Sequence, residues 1–372
     1  MKEMSLLIKP ASSACQLNCS YCFYKDVSHH RRCENNGIMS YEVCVALIHK
    51  VCNQIEDSGT ITFAFQGGEP LLAGLPYFQQ FCKCVNQEKK PHQTIQYAIQ
   101  TNGCLLDDAW CEFFRIQDFL VGISLDGYAQ NHDGFRKDAK GKGSYKQALC
   151  AIALLKKYQI PFNILTVLTR QLANHPDKLY RFYQEHNLTH IQLIPCLADL
   201  DKEETAYALT PQRFASFYKP FFDLWIKELP TRYRSISLFD NLLRLLQDQL
   251  PTQCGMFGRC FMQMVIESDG SVYPCDFYVL DEHSCGNILH DDLETIMHHP
   301  HAEHFMKQGS LGCRLCSTCP YRTICHGNCK RSSDAYYRDN YCGYKDFLDY
   351  SMPRLYALLT KPTHWRFPHN MV

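Results

Sequence analysis

The sequence predicts an α/β protein: a partial barrel of six (β/α) units followed by a smaller, loop-rich module. Two observations carry this. Short apolar, β-branched runs alternate with helix-length amphipathic stretches through the first two-thirds of the chain, and the last third crowds ten cysteines between Cys254 and Cys342. At 372 residues and 43.2 kDa, the chain is long for one ordinary domain.

The strands are expected at residues 5–9, 60–65, 94–100, 119–124, 162–168 and 190–194, each short, mostly apolar and closed by Gly, Pro, Asn or Asp nearby. Helical periodicity fills the intervals at 41–54, 75–84, 107–116, 144–158 and 175–186. Strict alternation implies a parallel sheet, and six units favour a curled partial barrel over a flat doubly wound sheet. Either way, chemistry gathers at the C-terminal strand ends. Beyond residue 210 the pattern changes to longer helices at 211–227 and 237–249, then to the cysteine-rich region, and finally to a helix at 344–359. The expected organisation is a barrel over 1–210, a helical connection over 211–252, a cysteine module over 253–343, and a C-terminal helix and tail over 344–372.

Composition excludes several classes. With 38 basic against 38 acidic side chains there is no surplus to neutralise a nucleic acid backbone. No apolar run reaches the roughly eighteen residues of a membrane span. The opening Met1-Lys2-Glu3-Met4-Ser5 lacks a signal-peptide core, so the expected address is the cytoplasm. In that reducing setting 22 cysteines read as metal ligands, because a chain of this size needs no disulfide staples.

The first constellation is Cys15-x3-Cys19-x2-Cys22, in the loop after the first strand. Three thiolates so spaced can hold three irons of a cubane and leave the fourth open to a ligand that is not protein. A zinc knuckle is the competing reading, but no fourth Cys or His follows at zinc-ribbon spacing. Gln66-Gly67-Gly68-Glu69-Pro70 ends the second strand and Ser124-Leu125-Asp126-Gly127 the fourth. The two glycines let backbone approach a ligand closely, and the Glu69 carboxylate suits an ammonium group. The second constellation is Cys316-x2-Cys319-x5-Cys325-x3-Cys329 with Cys342 downstream and Cys254, Cys260 and Cys275 upstream. Taken alone, these thiols suit zinc or iron–sulfur sites equally. Cys313 stands near enough to compete. Ten other cysteines, Cys33, Cys44, Cys52, Cys82, Cys84, Cys104, Cys111, Cys150, Cys196 and Cys285, are scattered and read mostly as core thiols. His298, His299, His301 and His304 read as an exposed helix end.

These motifs, in this order, resemble the radical S-adenosylmethionine (SAM) enzymes carrying a SPASM extension. Within that superfamily the chain is most similar to the anaerobic sulfatase-maturating enzymes, on residues 6–13, Cys22-Phe23-Tyr24, 63–70, Gln100-Thr101-Asn102-Gly103, Arg136-Lys137-Asp138 and 267–278. The resemblance implies three [4Fe–4S] clusters. Cys15, Cys19 and Cys22 would hold the SAM cluster; Cys254, Cys260, Cys275 and Cys329 the first auxiliary cluster; and Cys316, Cys319, Cys325 and Cys342 the second. It also implies SAM contacts at Tyr21, Gly67, Gly68, Glu69, Ser124, Arg136 and Leu197, with Arg136 suited to a carboxylate. Tyr24 and Gln66 would face the substrate, and Asp276 would act as catalytic base.

The implied reaction oxidises a Cys or Ser of an unfolded sulfatase polypeptide to Cα-formylglycine, releasing 5′-deoxyadenosine and methionine. Electrons would come from a reduced flavodoxin- or ferredoxin-type donor. No nucleic acid or membrane partner is expected. One alternative keeps the fold and clusters but forms a thioether or carbon–carbon crosslink in a small precursor peptide. Another, a zinc-binding interaction protein, leaves the open three-cysteine site without a purpose.

Overall fold

The computed structural model describes residues 1–308, 312–338 and 340–360; the expected tail beyond residue 360 lies outside them. The chain runs β1 (Glu3–Ile8), α1 (Phe23–His29), α2 (Tyr41–Gln54), β2 (Thr60–Phe65), α3 (Leu75–Glu88), β3 (Thr94–Thr101), α4 (Asp108–Ile116), β4 (Phe119–Ser124), α5 (Ala129–Phe135), α6 (Tyr145–Lys157), β5 (Phe162–Leu168), α7 (Pro176–Glu185) and β6 (His190–Pro195). It continues with α8 (Pro211–Glu228), β7 (Ser235–Ile236), α9 (Ser237–Leu246), the hairpin β8 (Val265–Ile266) and β9 (Val272–Tyr273), α10 (Leu293–Met297), α11 (Pro300–Lys307), α12 (Arg322–Cys325), α13 (Ser333–Tyr336), β10 (Tyr337–Arg338), β11 (Tyr341–Cys342) and α14 (Gly343–Thr360).

Strands β1 to β7 lie side by side in sequence order, and every neighbouring pair is parallel. A doubly wound sheet would reverse that order at a switch point; a monotonic order is what a barrel wall requires. β1 and β6 do not pair with each other, so the barrel is partial. β2 illustrates why such segments are strands: Ile61, Phe63 and Phe65 are buried on one face and alternate with half-buried Thr60, Thr62 and Ala64 on the other. The covering helices present apolar faces at helical spacing. In α2 this face is Val43, Leu47, Ile48 and Val51, behind a Ser40 N-cap whose hydroxyl accepts from Val43 N.

The short elements α1, α5 and β7 escaped the periodicity, as did two further features. The hairpin from the cysteine-rich region joins the barrel sheet, with β8 pairing parallel to β1 at Leu7–Val265 and Ile8–Ile266. A two-residue strand carries no alternation to read. Helix α9 also stops at Leu246, short of the expected residue 249, and a turn follows in which Asp248 takes φ +57°. The C-terminal helix packs on α8 through Phe214, Tyr218, Phe222, Tyr344 and Phe347. Gly343 is required at that contact, because a Cβ there would sit 1.9 Å from Pro211 O.

Candidate active site

Because strands β1 to β6 are parallel, their C-terminal ends open on one side of the sheet, and the expected motifs occupy the loops there. The cysteine loop after β1 is fastened to the glycine loop after β2: Gly68 N donates to Ser12 O at 2.9 Å and Glu69 N to Ala14 O at 2.7 Å. Gly67 has φ +122°, and a Cβ on Gly68 would lie 2.1 Å from Ala14 O. These glycines therefore admit the cysteine loop's own backbone. Cys15 is exposed at the rim, while its sulfur accepts from Leu17 N at 3.4 Å and Asn102 Nδ2 at 3.7 Å. Desolvation pushes the Cys15 thiol up to about 12 and Cys19 to about 11, so these thiols ionise when a cation binds them.

The Glu69 carboxylate is held by the protein's own donors. It is fully buried and accepts from Thr101 Oγ1 at 2.6 Å, Asn102 N at 2.8 Å and Leu71 N at 3.2 Å. Burial raises it to about 7 against those three donors. Its side chain ties the β2 and β3 ends together. Arg136 likewise has a protein carboxylate as its partner: Nε and Nη2 reach Asp126 at 2.8 and 3.2 Å. Asp126, fully buried, also accepts from the Tyr21 hydroxyl and from Val167 N. Burial, the largest single influence, would raise the Asp126 carboxyl, but the charge and hydrogen bonds of Arg136, with His132 and Tyr21, together hold it below the usual range. Tyr21 and Arg136 are thus brought together around an aspartate whose role the sequence did not single out. Ser124 accepts from Gln100 Nε2 at 3.1 Å at the end of β4. Gln66 N donates to Ile8 O at the end of β2. Leu197 lines a small hollow beyond β6 with Arg170 and Arg331.

Asp276, only 8% exposed, lies in a 3-10 turn after β9. The Tyr24 hydroxyl, from the first turn of α1, donates to its Oδ2 at 2.7 Å. Lys9 Nζ, just past β1, lies 3.3 Å from Oδ1 and 4.7 Å from the Tyr24 ring centre. Among the described residues Oδ1 makes no hydrogen bond, while Asp276 N is anchored to Gln263 Oε1 at 3.0 Å. Burial, then the Asp276 charge, drives the Tyr24 hydroxyl well above its ordinary range. The sequence assigns Lys9 no role, although it closes the first expected strand and lies within the 6–13 segment.

The remaining thiols form two groups. Gly255 packs against Cys329, where a Cβ would lie 2.9 Å from Cys329 N. Burial first, then the charges of Cys329 and Cys260, raises Cys254 to about 11. Cys275 is also raised by burial, with Cys329 and Cys254 adding to it. Cys313, Cys316, Cys319, Cys325 and Cys342 line a second, apolar hollow. Of the ten scattered cysteines seven are buried, while Cys33 and Cys150 are exposed and Cys104 is half-buried. His301 Nδ1 is 2.7 Å from Ser284 O and His299 caps α11, an ordinary exposed helix end.

The Radical SAM superfamily model matches residues 10–183, and the SPASM model, an iron-sulfur cluster-binding domain, matches 254–320. A Clostridium perfringens protein named a cysteine-type anaerobic sulfatase-maturating enzyme is 40% identical over 95% of this chain and 98% of its own length. The chain belongs to the anaerobic sulfatase-maturating enzyme family. A Clostridium novyi relative of the same name is 37% identical over 95% of this chain and 97% of its own. A serine-type member from Bacteroides thetaiotaomicron is 30% identical over 100% of this chain and 95% of its own. The solved structure described as native anSMEcpe with bound AdoMet and Kp18Cys peptide superposes with a TM-score of 0.89 at 37% identity, covering 96% of this chain and 99% of that one. The cofactors of this anaerobic sulfatase-maturating enzyme are [4Fe–4S] clusters and SAM. The donor sets fit them: three thiols in one loop would leave one corner of a cubane for SAM, and five further thiols line an apolar hollow.

Proposed function

We propose that this enzyme oxidises a cysteine in a sulfatase polypeptide to Cα-formylglycine, with Asp276 taking the thiol proton. The carrying observation is the convergence of Asp276, Tyr24 and Lys9 from the β9 turn, α1 and β1, which joins the cysteine loop to a cluster ligand set at one point. Cysteine is favoured over serine because the relatives at 37–40% identity bear the cysteine-type name and those at 28–30% the serine-type name.

Cys15, Cys19 and Cys22 would hold the SAM cluster. Cys254, Cys260, Cys275 and Cys329 would hold the first auxiliary cluster, and the second hollow the other. Bound there, the clusters and SAM supply one-electron chemistry, a carbon-centred radical that removes hydrogen from the substrate β-carbon, and an acceptor for the second electron. Asp276 is the group within reach that can accept a proton, and removing the thiol proton makes the carbon centre easier to oxidise. Lys9 holds a positive charge opposite Oδ1, and the Tyr24 hydroxyl fixes Oδ2, so the carboxylate keeps one orientation. Tyr21 and Arg136 shape the SAM side through Asp126, Gly67 and Gly68 set the loop's approach, and Ser124, Leu197 and Gln66 lie at the strand ends around it. A reduced flavodoxin- or ferredoxin-type protein would deliver electrons, and the setting would be cytoplasmic.

The test is anaerobic reconstitution with SAM, a reductant and two sulfatase-site peptides, one carrying Cys and one Ser. The expected product is an aldehyde from the Cys peptide, seen in its mass as loss of sulfur and two hydrogens with gain of oxygen, together with 5′-deoxyadenosine. SAM cleavage with both peptides intact would overturn the substrate assignment.

A further inference from the structure

The second thiol hollow contains one cysteine more than a cubane can use. Cys313 N-caps a 3-10 turn (Arg314–Thr318) that Cys319 closes, so Cys313, Cys316 and Cys319 stand three residues apart along it. With about three residues per turn, such side chains eclipse one another on the same side. Cys316 N donates to Cys313 O at 2.9 Å, Cys313 N donates to Cys316 Sγ at 3.2 Å, and the two sulfurs lie 3.7 Å apart. Two thiolates each about 2.3 Å from one tetrahedral metal are about 3.8 Å apart. The pair is therefore spaced to reach a single metal position, and each iron of a cubane takes only one cysteine. Cys313 also faces the rest of the set, lining the same hollow as Cys319, Cys325 and Cys342.

We infer that Cys313 and Cys316 are interchangeable ligands to one iron of the second auxiliary cluster, with Cys319, Cys325 and Cys342 holding the other three. Exchange moves one thiolate onto the iron as its proton leaves to water, and the displaced thiolate takes up a proton; no electron is transferred. The cluster can then keep four protein ligands when either thiol is lost. This rests on assigning the hollow to an iron–sulfur cluster, so the test separates the two ideas.

Full-length protein is reconstituted anaerobically, and iron, sulfide and the reduced-state paramagnetic resonance spectrum are measured, with alkylation sites mapped by mass. Wild type is expected to hold about twelve irons from three cubanes. Cys313→Ala and Cys316→Ala should each keep that content, whereas Cys319→Ala and the Cys313→Ala/Cys316→Ala double variant should each lose about four. In the folded wild type one thiol of the pair should alkylate, and in Cys316→Ala the remaining Cys313 should be protected. Loss of about four irons from either single variant overturns the exchange while leaving the cluster assignment standing. Full iron in Cys319→Ala overturns both. Should the double variant misfold, alkylation of Cys313 in the Cys316→Ala holoprotein still refutes the inference.

Discussion

Replacing Asp276 with Asn tests the proposed chemistry most directly. The amide is nearly isosteric, keeps an oxygen for the Tyr24 hydroxyl 2.7 Å away, and leaves the Gln263 contact to the backbone intact. It removes the proton acceptor and the charge opposite Lys9. A general base is worth about 10²–10⁴ in rate, or about 3–5 kcal/mol of barrier. The larger figure is expected, because Asp276 is only 8% exposed and solvent is poorly placed to replace it. Stability should fall too, by about 3 kcal/mol, since Lys9 at 4% exposure becomes a buried ammonium without a countercharge. The assay is single-turnover oxidation of a Cys peptide, with aldehyde and 5′-deoxyadenosine quantified separately and the iron content checked. Aldehyde should nearly vanish while 5′-deoxyadenosine persists. Adding Lys9→Met should recover stability and leave aldehyde formation lost. Aldehyde within about tenfold of the wild-type rate in Asp276→Asn would remove it from the role of base.

Cys15→Ala should abolish SAM cleavage while the auxiliary clusters remain, and 5′-deoxyadenosine formation by that variant would misplace the SAM cluster. Gly68→Ala should cut SAM cleavage about 100-fold, because a Cβ 2.1 Å from Ala14 O must displace the cysteine loop, and misplacement of about 1 Å is that costly; normal cleavage would refute the tight approach. Glu267→Ala should strand the buried Arg31 guanidinium, whose Nε makes no hydrogen bond among the described residues, and destabilise the protein by about 3–5 kcal/mol, read as a lower Tm. His132, buried beside Asp126 N and Ser144, is lowered from 6.5 to about 4, chiefly by desolvation. The unfolded chain therefore binds more protons between those values, and stability falls as pH drops through that window. His132→Gln should flatten the fall by about 1 kcal/mol per pH unit, and an unchanged slope would refute it.

Much of this site was legible because its parts are local. Cys15, Cys19 and Cys22 sit within one loop, and Gly67 and Gly68 within one turn, so spacing alone announces them. The strands were legible through period-two burial, as in β2, and the helices through faces like that of α2. The side-chain partners were not. Glu69 and Arg136 hold groups brought from other strands and turns, partners that no local motif announces.

Periodicity by itself determined the six (β/α) units, and cysteine spacing the three-cysteine loop after β1, because both act through neighbours along the chain; the division of the later cysteines into two sets came from the family resemblance. Tertiary structure alone decided that the 265–273 hairpin would extend the sheet at β1, and that Tyr24 would meet a carboxylate 252 residues away. It also placed Lys9 against that carboxylate and put Cys313 beside Cys316 on a 3-10 turn. Such pairings depend on which elements pack together and which buried charges then need partners, and no short window of sequence contains that information.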